Sequence, residues 1–277
     1  MSTKLETLED NLKSLESVLI AFSGGVDSTF LLKVAHDVLK DNVIAVTASS
    51  STYPKRELRE AEKYAKSMGV KHIIIESEEL KIKGYSQNPV NRCYYCKKEL
   101  YSKLKKVAQK NNIKYILDGA NFDDIGDYRP GMKAARELGI ISPLKEAELT
   151  KKEIRTYSRN MGLPTWNKPS FACLSSRFPY GNEINSRKLK MVEDAEQFLL
   201  DLGFRQVRVR YHGEIARIEV APEERNKFFN LAVMDKVGNK LKKLGFIYVT
   251  LDLLGYRTGS MNAVLQKKYK IQDAHIK

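Results

Sequence analysis

Val18-Leu19-Ile20-Ala21-Phe22-Ser23-Gly24-Gly25-Val26-Asp27-Ser28 is the stretch whose reading decides the fold. It opens on an apolar run, and beyond Ser28 apolar side chains return as Phe30, Leu31, Val34, Ala35, Val38 and Leu39, the spacing of a helix with one buried face. Residues 21–28 therefore read as the end of a strand, a tight turn and the start of a helix. Gly24 and Gly25 permit positive φ and let main-chain N–H groups approach a ligand, while the helix N-terminus favours an anion. Ser23 and Ser28 add hydroxyl donors. Asp27 is the odd member, because a carboxylate repels a phosphate unless a divalent cation bridges them or the Asp caps the helix instead. The expectation is a cradle for the pyrophosphate of ATP with magnesium nearby. An ordinary strand-to-helix turn is the competing reading, and no Gly-Lys-Ser/Thr follows as a Walker A loop requires.

Outward from this stretch, a short amphipathic helix over residues 3–15 precedes the first strand. Further strands are expected at Asn42–Ala48, His72–Glu76 and Tyr115–Asp118, with helices from about Pro54 to Met68 and Arg92 to Asn111 between them. Strands alternating with helices of this length imply βαβ units, and apolar strands without alternation imply a parallel sheet covered on both faces. Ligands of such sheets bind beyond the carboxyl ends of the strands, which gathers Ser23 to Ser28, Ala48, Asp118 and Gly119 at one edge, with Ala21 a further candidate contact of the nucleotide. Within residues 121–182, Asn121–Gly131 is polar and punctuated by Gly and Pro, as active-site loops are, Thr150 caps a helix over Lys151–Met161 that Gly162 ends, and Trp166–Gly181 is again loop-like and dense in reactive groups. From Ser186 the pattern changes to a helix, a hairpin turning at His212-Gly213-Glu214, a helix from Pro222 to Leu244 and a strand at Ile247–Leu251. The fold class expected is thus α/β, a parallel-sheet nucleotide domain over residues 1–182, followed by a small α+β domain over residues 183–277.

The 277 residues suffice for a full core, and the composition is that of an ordinary globular protein. A net charge of +14 favours phosphorylated or polyanionic ligands, although lysine-rich solvated helix faces give the same balance. Met1 to Lys13 is too polar for a signal peptide and no apolar run nears the about 20 residues of a membrane span, so a cytoplasmic protein with no membrane partner is expected. Three cysteines in a reducing compartment argue for metal or sulfur chemistry rather than disulfides. Cys93 and Cys96 are spaced C-x-x-C at a helix start, and Cys173 lies in a remote loop. That set is open to four readings: an iron–sulfur cluster with one iron left free, a zinc site lacking its fourth ligand, a redox or persulfide centre, or structural thiols.

Arg208 and Arg210 alternate on one face of a strand and suit a phosphate or carboxylate, or equally a solvated face. Glu196 and Glu219 are candidates for a metal or for surface ion pairs with those arginines. Arg129 and Arg177 lie in loops beside Gly and Pro, where phosphate contacts are more usual.

The Ser-Gly-Gly-x-Asp-Ser signature at Ser23–Ser28 resembles that of the N-type ATP pyrophosphatases, the PP-loop family, which implies cleavage between the α and β phosphates. More specific still are Asp127–Gly131, Trp166-Asn167-Lys168, Ser175–Gly181, Val207-Arg208-Val209-Arg210 and Tyr248–Asp252, which with the loop resemble the LarE family over nearly the whole chain. The resemblance implies an ATP-dependent sulfur transferase of nickel-pincer nucleotide cofactor synthesis, acting on pyridinium-3,5-biscarboxylic acid mononucleotide. It implies pyrophosphate binding by Ser23, Gly24, Gly25, Asp27 and Ser28, with Asp27, Cys173 and Ser176 catalytic. It also places Arg208 and Arg210 near the substrate phosphate and Glu196 and Glu219 at a divalent metal, where Asn226 and Lys227 stand in place of a third acid. Cys93, Cys96 and Cys173 match the three-cysteine type, which implies a 4Fe-4S cluster fed by sulfide or a sulfur donor protein, and a homo-oligomer. A PP-loop tRNA thiolase, favoured by the charge, is the nearest rival, although no RNA-binding module is recognisable and nucleic acid is not an expected partner. A nucleotide-binding redox sensor without chemistry is a third reading.

Overall fold

The apolar run becomes β1 (Val18–Ala21), and the computed structural model, which describes residues 3–125 and 130–260, builds a four-stranded sheet around it. With β2 (Val43–Ser49), β3 (Lys71–Glu76) and β4 (Tyr115–Leu117), the order is β3-β2-β1-β4 and every pairing is parallel. Side chains alternate across a strand, so Val18 and Ile20 enter one core while Leu19 enters the other. The first core is filled from α1 (Lys4–Lys13) and α2 (Val26–Leu39) by Leu8, Leu12, Phe30 and Leu31, with Ala61 and Ala65 of α3 (Lys55–Ser67). The second takes Tyr101 and Leu104 from α4 (Arg92–Lys110) and Ala135 from α5 (Pro130–Glu137). Burial on both faces is why the strands read as unbroken apolar runs. The chain moves outward from β1 to β2 and β3, then returns to the other side of β1 as β4. That reversal puts a topological switch point between β1 and β4, where doubly wound sheets bind ligands. Two shorter helices follow, α6 (Pro143–Glu146) and α7 (Lys151–Asn160).

These elements make up the first unit, residues up to Tyr85 together with Pro89–Phe171; the second comprises Ser86–Asn88 and the chain from Ala172 onward. The sequence pattern places the change at residue 182, whereas the division falls at Phe171/Ala172. Three interactions account for the difference. Gly181 N–H donates to Asn88 O (3.0 Å) and Ile184 N–H to Ser86 O (2.8 Å), and Arg177 is anchored to the helix that follows.

In the second unit α8 (Ser186–Asp201) packs on a sheet of β5 (Val207–His212), β6 (Ile215–Val220) and β7 (Tyr248–Leu251), ordered β5-β6-β7. β5 and β6 are the antiparallel hairpin expected, and β7 joins β6 in parallel. The single helix expected over 222–244 is divided into a 3-10 segment, Pro222–Phe229, and α9 (Leu231–Lys243). Asn230 makes the break, its Oδ1 accepting from Ala232 N–H at 2.9 Å as an N-cap. Among the described residues no helix is long and apolar enough to cross a membrane.

Candidate active site

The decisive octet forms a strand-loop-helix cradle. Phe22 N–H still bonds to Val46 O of β2, so the loop leaves the sheet beside the end of β2 that carries Ala48. Gly24 sits at φ +61°, and a Cβ there would lie 3.1 Å from Ala61 Cα, so the position demands both the backbone freedom and the small size of glycine. Ser28 Oγ lies 3.0 Å from Ser23 Oγ and accepts from Ser23 N–H at 3.3 Å, tying the two ends of the loop together. From the other side Gly119 approaches so closely that a Cβ would stand 3.1 Å from Ser28 N. Ala21, Ser23, Gly24, Gly25, Ser28, Ala48 and Gly119 are therefore gathered at one sheet edge, as their sequence positions imply. Asp118 braces this edge: its carboxylate accepts from Tyr101 Oη (2.8 Å), Ser142 Oγ (2.8 Å) and Ala120 N–H (3.2 Å). Burial, with Asp118 beside it, pushes the Tyr101 phenol up to about 12, so it remains a donor at neutral pH.

Asp27 does not cap α2, whose N-cap is Gly25 without a side-chain bond. Its Oδ2 pairs with Lys151 Nζ at 2.5 Å, and its Oδ1 is buried and makes no hydrogen bond among the described residues. An orphaned carboxylate oxygen at the rim of a phosphate cradle fits a magnesium ligand. Lys151 is placed by the start of α7, where Thr150 and Glu153 form a capping box and Lys151 N–H donates to Asp123 Oδ2 (2.8 Å). Nothing in the sequence around Lys151 signals more than a helix start, because its partner lies on a separate element. Arg129 lies outside the described residues.

In the second unit the side chains expected near a substrate phosphate form a buried charge cluster. Arg177, Arg208 and Arg210 are 0%, 5% and 4% exposed, and Glu196 and Glu219 4% and 1%, so three guanidiniums share the interior with two carboxylates. Arg177 grips Glu196 bidentately at 2.8 and 2.9 Å, and its remaining nitrogen donates to Ala172 O, Cys173 O and Ser176 Oγ. Arg210 donates to Ser176 O (3.1 Å) and to Glu219 Oε2 (2.7 Å), while Arg217 meets Glu219 Oε1 at 3.0 Å. Val209 N–H, on the open edge of β5, donates to Glu196 Oε1 at 2.8 Å. Burial first, and then the neighbouring Arg177, lower the Arg208 pKa to about 10. Arg177, expected as a loop phosphate contact, is instead the buried partner of Glu196. The two glutamates pair with arginines inside the unit rather than on its surface, and with their oxygens so occupied they do not fit a divalent ion. Glu224 is likewise tied, accepting from Arg205 N–H, Gln206 N–H and Lys227 Nζ.

Cys93 and Cys96 stand near the start of α4, three residues apart and on one face, and neither is in a disulfide. Such a pair suits two corners of a metal–sulfur centre. Cys173 belongs to the second unit, and among the described residues no three His, Cys, Asp or Glu side chains are grouped to hold a metal.

A PP-loop domain family matches residues 1–127. An uncharacterized protein of Synechocystis sp. is 45% identical over 267 residues, 96% of this chain and 100% of its own. The pyridinium-3,5-bisthiocarboxylic acid mononucleotide synthase of Lactiplantibacillus plantarum is 43% identical over 268 residues, 96% of each chain. The chain belongs to the LarE family. An uncharacterized protein of Methanocaldococcus jannaschii, 30% identical over 92% of this chain, is a more distant relative of this LarE protein. The two nearer likenesses run through both units.

Proposed function

We propose that the protein is an ATP-dependent sulfur transferase that thiolates pyridinium-3,5-biscarboxylic acid mononucleotide in nickel-pincer nucleotide cofactor synthesis. The observation that carries this reading is the 43% identity, over 96% of both chains, with a synthase of the corresponding bisthiocarboxylic acid. A carboxylate is a poor acyl donor, so its oxygen first attacks the α-phosphorus of ATP and pyrophosphate leaves. Sulfur then attacks the acyl carbon, the C–O bond to AMP breaks, and AMP departs with the former carboxylate oxygen. Ser23, Gly24, Gly25 and Ser28 hold the departing pyrophosphate, and Ala21, Ala48 and Gly119 border the remainder of the nucleotide. Asp27 would hold a magnesium ion, whose charge offsets that of the phosphates. Lys151 supplies a second cation at the same rim, and Arg129 is assigned to phosphate contact.

Arg208 and Arg210 are assigned to the phosphate of the pyridinium substrate, held ready by Ser176, Glu196 and Glu219. Cys93, Cys96 and Cys173 are assigned to a 4Fe-4S cluster, which when bound would supply sulfide as the nucleophile and would be replenished by free sulfide or a sulfur donor protein. Cys173, bonded through its carbonyl to Ser176 N–H at 3.0 Å, stands next to the residues assigned to substrate. The protein is proposed to work in the cytoplasm as a homo-oligomer.

The test uses protein purified without oxygen, first assayed for iron and acid-labile sulfide and then given Mg-ATP, the pyridinium nucleotide and sulfide. Expected are about four irons and four sulfides per chain, lost in Cys173→Ala, together with AMP, pyrophosphate and a product in which oxygen is exchanged for sulfur. ATP turnover that depends on tRNA instead of the pyridinium nucleotide would overturn the reading.

A further inference from the structure

We infer that Tyr53 and Lys168 are positioning residues that aim the Gly24 and Gly25 N–H groups at the pyrophosphate of ATP. This role depends on the cradle reading above and adds the devices that keep the cradle's donors pointed one way. In a planar trans peptide unit the C=O and the following N–H project to opposite sides. Tyr53 Oη donates to Ser23 O at 2.7 Å, and Lys168 Nζ donates to Gly24 O at 3.1 Å. With the Ser23 carbonyl held, the Gly24 N–H is directed away from Tyr53; with the Gly24 carbonyl held, the Gly25 N–H is directed away from Lys168. The third carbonyl of the loop, Gly25 O, accepts Thr29 N–H at 2.9 Å and is fixed by α2 itself. Gly24 and Gly25 lack the Cβ that would resist rotation of these peptide planes, so holds from outside matter most here.

Both anchors are braced. Lys168 Nζ lies 2.7 Å from Glu57 Oε2 and 2.6 Å from Glu60 Oε2 on α3, the helix whose Ala61 touches Gly24. Arg155 of α7 donates to Trp166 O (2.6 Å) and Lys168 O (2.8 Å), clamping the segment that carries the lysine. The Tyr53 ring meets Phe171 edge-on at 6.0 Å. Burial works against the Lys168 charge, but Glu57 and Glu60 outweigh it and raise its pKa above the ordinary lysine value. Burial, then Glu57 and Glu60, push the Tyr53 phenol far above its usual value, so it donates throughout the working pH range. Two carboxylates around one ammonium make the local net charge negative, which does not attract a phosphate. That balance separates Lys168 from Lys151 and assigns it to the peptide planes.

The experiment measures dissociation constants of α,β-methylene ATP with magnesium, and of AMP, by titration calorimetry on the full chain and on Tyr53→Phe, Lys168→Met and Lys168→Arg. AMP lacks the pyrophosphate, so it reports everything but the cradle. Expected is weaker analogue binding by about 3- to 10-fold in Tyr53→Phe and about 10- to 100-fold in Lys168→Met, the ranges for losing a neutral and a charge-assisted hydrogen bond. AMP affinity stays unchanged, and Lys168→Arg recovers most of the loss because arginine keeps both the charge and the donor. Equal losses for AMP and the analogue, or no loss of analogue binding in Tyr53→Phe and Lys168→Met, would overturn the assignment. These affinities need no pyridinium substrate, so they stand apart from failure of the thiolation reaction itself.

Discussion

The loop after β1 and the arginine cluster on β5 present donors of opposite kinds, main-chain N–H groups in one case and buried guanidiniums in the other. The loop draws its favourable potential from peptide dipoles at a helix start, and its charged side chains, Asp27 and Lys151, stand at the rim. The cluster puts whole charges inside a domain. Burying a guanidinium is expensive, and Glu196 and Glu219 are what make it tolerable. A charge lost at the loop should therefore be felt in the reaction, and a charge lost in the cluster should be felt first in folding.

The sharpest break of that contrast would come at Asp27. Asp27→Asn keeps the shape and removes the charge, and pyrophosphate formation is expected to fall about 1,000-fold, the scale of several kcal/mol of transition-state stabilisation. Its stability should fall by no more than about 1 kcal/mol, because Oδ1 has no hydrogen bond to lose among the described residues and the Oδ2 pair with Lys151 is partly solvated. A variant that unfolds early, or one that keeps more than a tenth of the rate, would erase the distinction between the two regions.

Glu196→Gln asks the converse question. It strands Arg177, which is fully buried. A cost of about 3 kcal/mol or more in urea unfolding is expected, the range for breaking a buried pair from one side. Adding Arg177→Met should return part of that stability, since a buried pair replaced by apolar side chains loses little. Stability unchanged in Glu196→Gln would mean that the bidentate geometry contributes nothing and that the cluster is not a buried-charge device.

How far the chain could be read in advance follows the same division. β1, the octet and the helix behind it were legible because periodicity and glycine placement act over a few neighbouring residues. Arg208 and Arg210 were legible as a pair because strand alternation fixes their common face. The partners of these groups were not. Asp27 meets Lys151, 124 positions away, and Lys168 meets Glu60, 108 positions away, so only tertiary folding reveals what each charge faces. Arg177 shows the same limit from the other side. Its loop sequence suggested a phosphate contact, and Glu196, on the helix that follows, is the partner it meets instead. Asn230 is the counter-case, a local cap signal sufficient to break a helix that the apolar pattern alone runs straight through.

The smallest effect expected belongs to the capping box that sets the start of α7, and hence the place of Lys151. Glu153 Oε2 accepts from Thr150 N–H at 2.8 Å and Thr150 Oγ1 at 2.7 Å, and Lys4 Nζ approaches Oε1 at 2.9 Å. The Thr150 main-chain bond first, then the Thr150 hydroxyl and Lys4, hold the Glu153 carboxyl at about 2 against an ordinary 4.5. A folded-state pKa below the unfolded one means that the carboxylate favours the native state wherever the unfolded chain is also ionised. Its contribution is complete above pH 4.5 and fades as the pH falls toward 2. Glu153→Gln, which cannot ionise, should be less stable than the parent by under about 1 kcal/mol at neutral pH, since the side chain is partly solvated. The gap between the two urea midpoints should stay constant down to about pH 5 and then close on further acidification, because protonated Glu153 and glutamine present nearly the same group to Thr150. Other carboxylates that titrate in that window do so in both proteins, so the difference isolates Glu153. A gap that persists unchanged at low pH would assign the stabilisation to packing of the side chain rather than to its charge, and would leave Lys151 placed by Asp123 and Asp27 alone.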